Sequence, residues 1–82
     1  MFRDFPYAIA WTDAMPSGSG SGYVGLIEYQ PSREDAQVQV LWVYAPGCTC
    51  AREAEAAADH MLRAIGEITP EGRVIYRDGV SL

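Results

Sequence analysis

The sequence predicts an α/β (α+β) domain with element order β-β-β-α-β. Its four-stranded, largely antiparallel sheet carries one helix packed on one face. Three observations carry this reading. Residues 7–45 hold three segments whose side chains alternate with period two, the spacing of a strand. Residues 50–68 repeat their apolar side chains at helical spacing. A short β-branched and aromatic run, "RVIYR" (73–77), follows. The 82 residues suit a single domain, 1–82, and a 49% hydrophobic content suits a packed core.

The first strand, "YAIAWT" (7–12), sets Tyr7, Ile9 and Trp11 against Ala8, Ala10 and Thr12. "MPSGSGSG" (15–22) is a loop by composition. It is not a phosphate cradle, which needs a strand before it, a helix after it and a lysine; here a strand follows and the chain has no lysine. "YVGLIEYQ" (23–30) is the second strand, "PSREDA" (31–36) a polar turn and "QVQVLWVYA" (37–45) the third strand, ended by Pro46-Gly47. Short connections make these three an antiparallel meander.

The helix is expected from about Cys50 to Ile65 or Ile68. Cys50, Ala54, Ala57, Ala58, Met61, Leu62, Ile65 and Ile68 fall on one arc, with Arg52, Glu55, Asp59 and Arg63 opposite. Thr49 is the natural N-cap, and Glu53 suits the positive end of the helix dipole. Gly66 or Thr69-Pro70 stops the helix.

One helix covers one face of a sheet, so the other face stays open unless something else covers it. The phase rich in rings, with Tyr7, Ile9, Trp11, Tyr23, Ile27, Tyr29, Val38, Val40, Trp42 and Tyr44, is expected under the alanine-rich helix. The mixed phase, with Ala8, Ala10, Thr12, Val24, Leu26, Glu28, Leu41 and Val43, is then open. Its apolar area exceeds what a monomer normally shows to water. Partner contacts are therefore expected from Leu26, Leu41 and Val43, and from the acidic groups Glu28, Glu34 and Asp35. Homodimerisation through the same face, or through a free edge strand, is the other use of such a surface. In a competing arrangement, Val80-Ser81-Leu82 and the N-terminal Phe2 and Phe5 fold over it.

The net charge is −5, and all six basic residues are arginine. Phosphate backbones are bound by clustered Lys and Arg, so direct nucleic-acid binding is not expected. An acidic chain suits a basic protein partner, because complementary fields speed encounter. No apolar run is long enough to span a membrane, and the N-terminus lacks a signal-peptide core, so a cytoplasmic location is expected. The Arg-only, Ala- and Gly-rich composition suggests a GC-rich bacterial or phage genome.

The chemistry-bearing residues are few. Cys48-Thr49-Cys50 has metal-ligand residue types, but His60, the only histidine, lies ten positions along the helix from Cys50. That is roughly 15 Å at 1.5 Å per residue, against zinc–ligand bonds of about 2 Å. One ion cannot join all three within a chain, and neither metal nor cofactor is expected. A thiol at a helix N-terminus can be activated, with Cys48 as the exposed partner, but the spacing is not the C-x-x-C of thioredoxin-like proteins. Cys50 is expected as the first buried rung of the apolar stripe. His60, flanked by Glu53 and Glu67, has no nucleophile or second base beside it in sequence. The expectation is a non-enzymatic protein, with a thiol or redox protein using Cys48 and Cys50 as the competing class.

The lysine-free acidic chain, the helix "AREAEAAADHMLRAI" (51–65) and the closing strand "GRVIYRDG" (72–79) resemble phage-encoded anti-CRISPR proteins. The resemblance implies a non-enzymatic inhibitor that docks on a CRISPR-Cas effector and blocks DNA binding or nuclease recruitment. It carries over no residue roles. A second resemblance is to HicB-type antitoxins, through "APGC" (45–48) and "REAEAAADHML" (52–62). The Gly-Asp-Thr segment expected between those elements of HicB is missing here, which makes an antitoxin or small regulatory protein the alternative.

Overall fold

The computed structural model describes residues 1–18, 22–43 and 48–77. The order is β1 (Phe2–Phe5), β2 (Ala8–Pro16), β3 (Tyr23–Pro31), β4 (Gln39–Val43), α1 (Ala51–Ala64), β5 (Ile65–Ile68) and β6 (Val74–Tyr76). The main sheet is an antiparallel meander, β1-β2-β3-β4, and β5-β6 form a second, two-stranded sheet. The α+β class, the antiparallel four-stranded sheet and the single covering helix are as the sequence predicts. Tyr44, Ala45 and the Val80-Ser81-Leu82 tail lie outside the described residues.

The fourth strand of the main sheet is not the C-terminal one. It is β1, a four-residue strand joined to β2 by the turn at Pro6-Tyr7. Four residues are too few for periodicity to register. The predicted closing strand instead pairs with residues expected to extend the helix. Ile65 and Ile68 are fully buried, as the helical stripe required, but they are strand residues. Two causes end the helix at Ala64. Ile and Gly are weaker helix formers than the alanines before them. Thr69-Pro70-Glu71-Gly72 also forms a hairpin turn, closed by Gly72 N–H to Thr69 O (2.8 Å) and Thr69 N–H to Arg73 O (2.8 Å). Gly72 sits at φ 90°, a conformation that disfavours any side chain. Arg3, reaching across from β1, donates to the carbonyls of Leu62 (2.7 Å) and Ile65 (2.9 Å) at the negative end of the helix.

The N-terminus of α1 reverses the expected capping. Cys50 is the N-cap and makes no side-chain cap bond. The carboxylate of Glu53 reaches back instead, accepting from the Thr49 hydroxyl (2.6 Å) and the Thr49 N–H (3.2 Å). These bonds hold its pKa below the ordinary glutamate value. Cys50 has extended backbone (φ −146°, ψ 162°), which takes its side chain out of helical phase. It is exposed, not the first buried rung, and Cys48 is the half-buried thiol of the two. The buried rungs on the helix are Ala54, Ala58 and Leu62.

The core lies between the main sheet and a second layer made of α1 with β5-β6. Phe5, Ala8, Ala10, Ile27, Val43, Ala58, Leu62, Ile65 and Ile68 form one buried cluster. The shortest dimension of the molecule, 18 Å, is that of two layers.

This packing corrects the predicted facing of β2 and β4. Ala8, Ala10 and Thr12 lie under the helix, and Ile9 and Trp11 face away. On β4, Leu41 and Val43 pack against the core, and Val40 and Trp42 face away. On β3, Ile27 and Tyr29 are on the covered side as expected. The physical reason is clearance. A Cβ on Gly25 would collide with the carbonyl oxygen of Ala54 and would stand 3.2 Å from Ala58 Cβ. Where the helix comes this close the sheet presents Gly25, flanked in register by Ala14 and Val43; an indole ring there does not fit. Thr12, the one buried polar residue among those described, donates its hydroxyl proton to Asp59 on the helix (2.6 Å).

Candidate interaction face

Cross-strand partners in an antiparallel sheet share a face, so the register defines the side that α1 leaves bare. One row reads Phe2, Trp11, Glu28, Val40. A second reads Asp13, Leu26, Trp42, and a third Asp4, Ile9, Gln30. Met15 and Val24 form a fourth. The face is apolar and open: Phe2 is 58% exposed, Trp42 53%, Val40 46% and Met15 43%. Soluble monomers scatter such residues singly, and contiguous patches mark contacts.

The predicted contact residues divide three ways. Glu28 and Leu26 are on this face, although Leu26 is only 7% exposed, between its cross-strand neighbours Asp13 and Trp42. Leu41 and Val43 are on the covered side, not the open face: Val43 is buried in the core and Leu41 is half-buried against it. Glu34 and Asp35 belong to the β3-β4 connection. Glu34 is exposed. Asp35 lines a polar cleft of about 310 Å³ with Arg33, Tyr29, Glu71 and Gly72. Tyr29 is a covered-side residue whose hydroxyl donates to Gly72 O (3.1 Å), so this cleft opens beside the second layer. The structure does not bring Glu34 or Asp35 into the rows of the open face.

Sequence reasoning missed Phe2, Asp4, Ile9, Trp11, Asp13, Met15, Val40 and Trp42 as members of the face. The alternation was legible; which phase faced the helix was not. The available signal was steric. Ala8, Ala10, Ala14 and Gly25 share one side by register, and only small residues admit an alanine-faced helix.

The charge on this face has one sign. Asp4, Asp13 and Glu28 are its ionisable groups. None of the six arginines joins them. Arg3 turns to the helix C-terminus, where its guanidinium also lies 4.4 Å from the Phe5 ring centroid. Arg33 is in the cleft, Arg52 and Arg63 are on α1, and Arg73 and Arg77 flank β6.

The thiols and the histidine form no joint site. Cys50 donates its thiol proton toward Glu53 (3.5 Å), and His60 is exposed on α1. Among the described residues, no group of three or more His, Cys, Asp or Glu side chains is placed to hold a metal ion. Among them, too, no helix is long and apolar enough to cross a membrane. No family model, no curated protein and no solved structure matches this chain.

Proposed function

We propose that this chain is a non-enzymatic binding protein that docks on another protein through the open face of its main sheet. Its target in this reading is a nucleic-acid-handling protein, a CRISPR-Cas effector subunit in the first instance, which it inhibits by occupying a functional surface. One observation carries the docking: Phe2, Ile9, Trp11, Val40 and Trp42 share the uncovered side of the sheet, outside the core. Tryptophan and phenylalanine are enriched in protein interfaces, and tryptophan dominates their energetic centres. The choice of a basic, nucleic-acid-handling target follows from the net charge of −5 and from the resemblance to small phage inhibitors.

The test is direct. Purified CRISPR effector complexes are assayed for target-DNA binding and cleavage with increasing amounts of the chain, and for retention of the effector on the immobilised chain. Inhibition by the parent protein, lost in Trp42→Asp with the fold intact by circular dichroism, supports the reading. Inhibition that survives Trp42→Asp places the contact elsewhere. Full effector activity at saturating protein removes the CRISPR target from the proposal.

A further inference from the structure

The open face is not simply apolar; its carboxylates are interleaved with its rings. Glu28 lies between Trp11 and Val40 in one row, Asp13 leads to Leu26 and Trp42 in the next, and Asp4 is opposite Ile9. Side chains directly opposite on neighbouring strands are about 4.5–5.5 Å apart at Cβ. Each carboxylate is thus within one side-chain length of an apolar surface. We propose that the occupant of this face is a cationic protein surface, whose arginine or lysine stems lie along the apolar rows and whose charged heads pair with Asp4, Asp13 and Glu28. This rests on the docking reading above and adds the chemistry of the partner.

Three arguments support the choice. First, long basic side chains bury their methylenes on apolar surface and keep the charge at its margin, the arrangement these rows offer. Second, a guanidinium over an indole gains a cation–π attraction, most over tryptophan. The chain already uses the pairing once, with Arg3 over Phe5 at 4.4 Å. Third, the other occupants fit the charge badly. A second copy would bring six carboxylates to one interface, three from each face, with no face arginine to pair them. A nucleic-acid backbone would meet only like charge. Heterologous docking, not homodimerisation, is what this face is built for.

Trp11 and Trp42 are the only tryptophans in the chain, and both are on this face, so tryptophan emission, selectively excited, reports on it. The probes are three amphipathic peptides of equal leucine content. One carries arginine on its polar positions, one glutamate and one serine. The arginine peptide is expected to shift the tryptophan emission saturably, and the other two at least tenfold more weakly. Asp4→Asn/Asp13→Asn/Glu28→Gln is expected to weaken the arginine peptide about tenfold or more, since each exposed ion pair contributes roughly two- to fivefold. The parent protein loses affinity with added salt and the triple variant does not. The three positions are on the uncovered side; if the triple variant nonetheless loses its circular dichroism, Glu28→Gln and Asp4→Asn singly carry the same comparison.

Equal binding of the serine peptide, or full affinity in the triple variant, overturns the cationic occupant and leaves the docking reading standing. Failure of all three peptides to move the emission also overturns it, and docking is then decided by the Trp42→Asp effector assay alone. A dimer by sedimentation that Trp42→Asp dissociates gives the face to a second copy. An emission shift with single-stranded DNA alone gives it to nucleic acid. Either result ends the proposal.

Discussion

Gly25→Ala tests the closest contact in the molecule, between β3 and α1. A Cβ at Gly25 meets the carbonyl oxygen of Ala54 at a separation real side chains do not adopt, and stands 3.2 Å from both the Ala54 carbonyl carbon and Ala58 Cβ. The obstacle is helix backbone, not the end of a flexible side chain, so the helix must lift. Overpacking a core costs about 1–3 kcal/mol where neighbours can partly adjust. A rigid obstacle puts this site at about 2–3 kcal/mol. In a domain of this size 1 kcal/mol moves Tm by about 4–8 °C, so the expected fall is about 10–20 °C. The assay is thermal and urea unfolding by far-UV circular dichroism. Gly18→Ala is the control, because nothing lies within 4 Å of a Cβ there, and it is expected within about 0.5 kcal/mol of the parent. Ala58→Gly added to Gly25→Ala removes the Cβ contact but not the carbonyl one, so it restores nothing. If Gly25→Ala is as stable as Gly18→Ala, the clearance argument fails. With it fails the reason why the rings of β2 face outward.

Arg3→Met removes two bonds to the helix C-terminus and the contact with Phe5, and is expected to cost about 1.5–3 kcal/mol by urea unfolding. Arg3→Lys recovers only part of this, because an ammonium lacks the planar fork that spans two carbonyls. The Glu53 carboxyl, held below its ordinary pKa by Thr49, is expected to titrate late in an acid NMR titration, and Thr49→Val raises it toward the ordinary value. Because the folded-state pKa is lowered, its contribution is present above roughly pH 4 and is lost as the pH falls through the folded value; Glu53→Gln flattens that limb. Cys48→Ser/Cys50→Ser is expected to keep both the fold and effector inhibition. Loss of inhibition with an intact far-UV spectrum supports the thiol class instead.

Much of the fold was legible because it is local. Three strands and a helix follow from side-chain alternation and from an alanine-rich amphipathic run, patterns that need no knowledge of neighbours. The two missed strands were also local, but short. "FRDF" is four residues long, and "IGEI" continued a helical stripe so well that burial alone did not separate helix from strand. The Thr-Pro-Glu-Gly turn between two Ile/Val runs was the overlooked signal. The interaction face was harder. That one face would be bare followed from counting helices. Which face it was depended on how closely the helix sits.

The amino-acid sequence by itself determined the α+β class, the meander, the amphipathic helix, the acidic balance and the presence of two differently populated phases on each strand. Only the tertiary structure decided which phase is covered. That choice is not a property of any strand. It is set where Gly25 of β3 meets Ala54 and Ala58 of α1, by how near two backbones can come. On β2 the alanines took the inside, and Gly25 on β3 allows the close approach. Trp11 and Trp42 were turned outward, beside Glu28 and Asp13, to form the surface on which the proposed function rests.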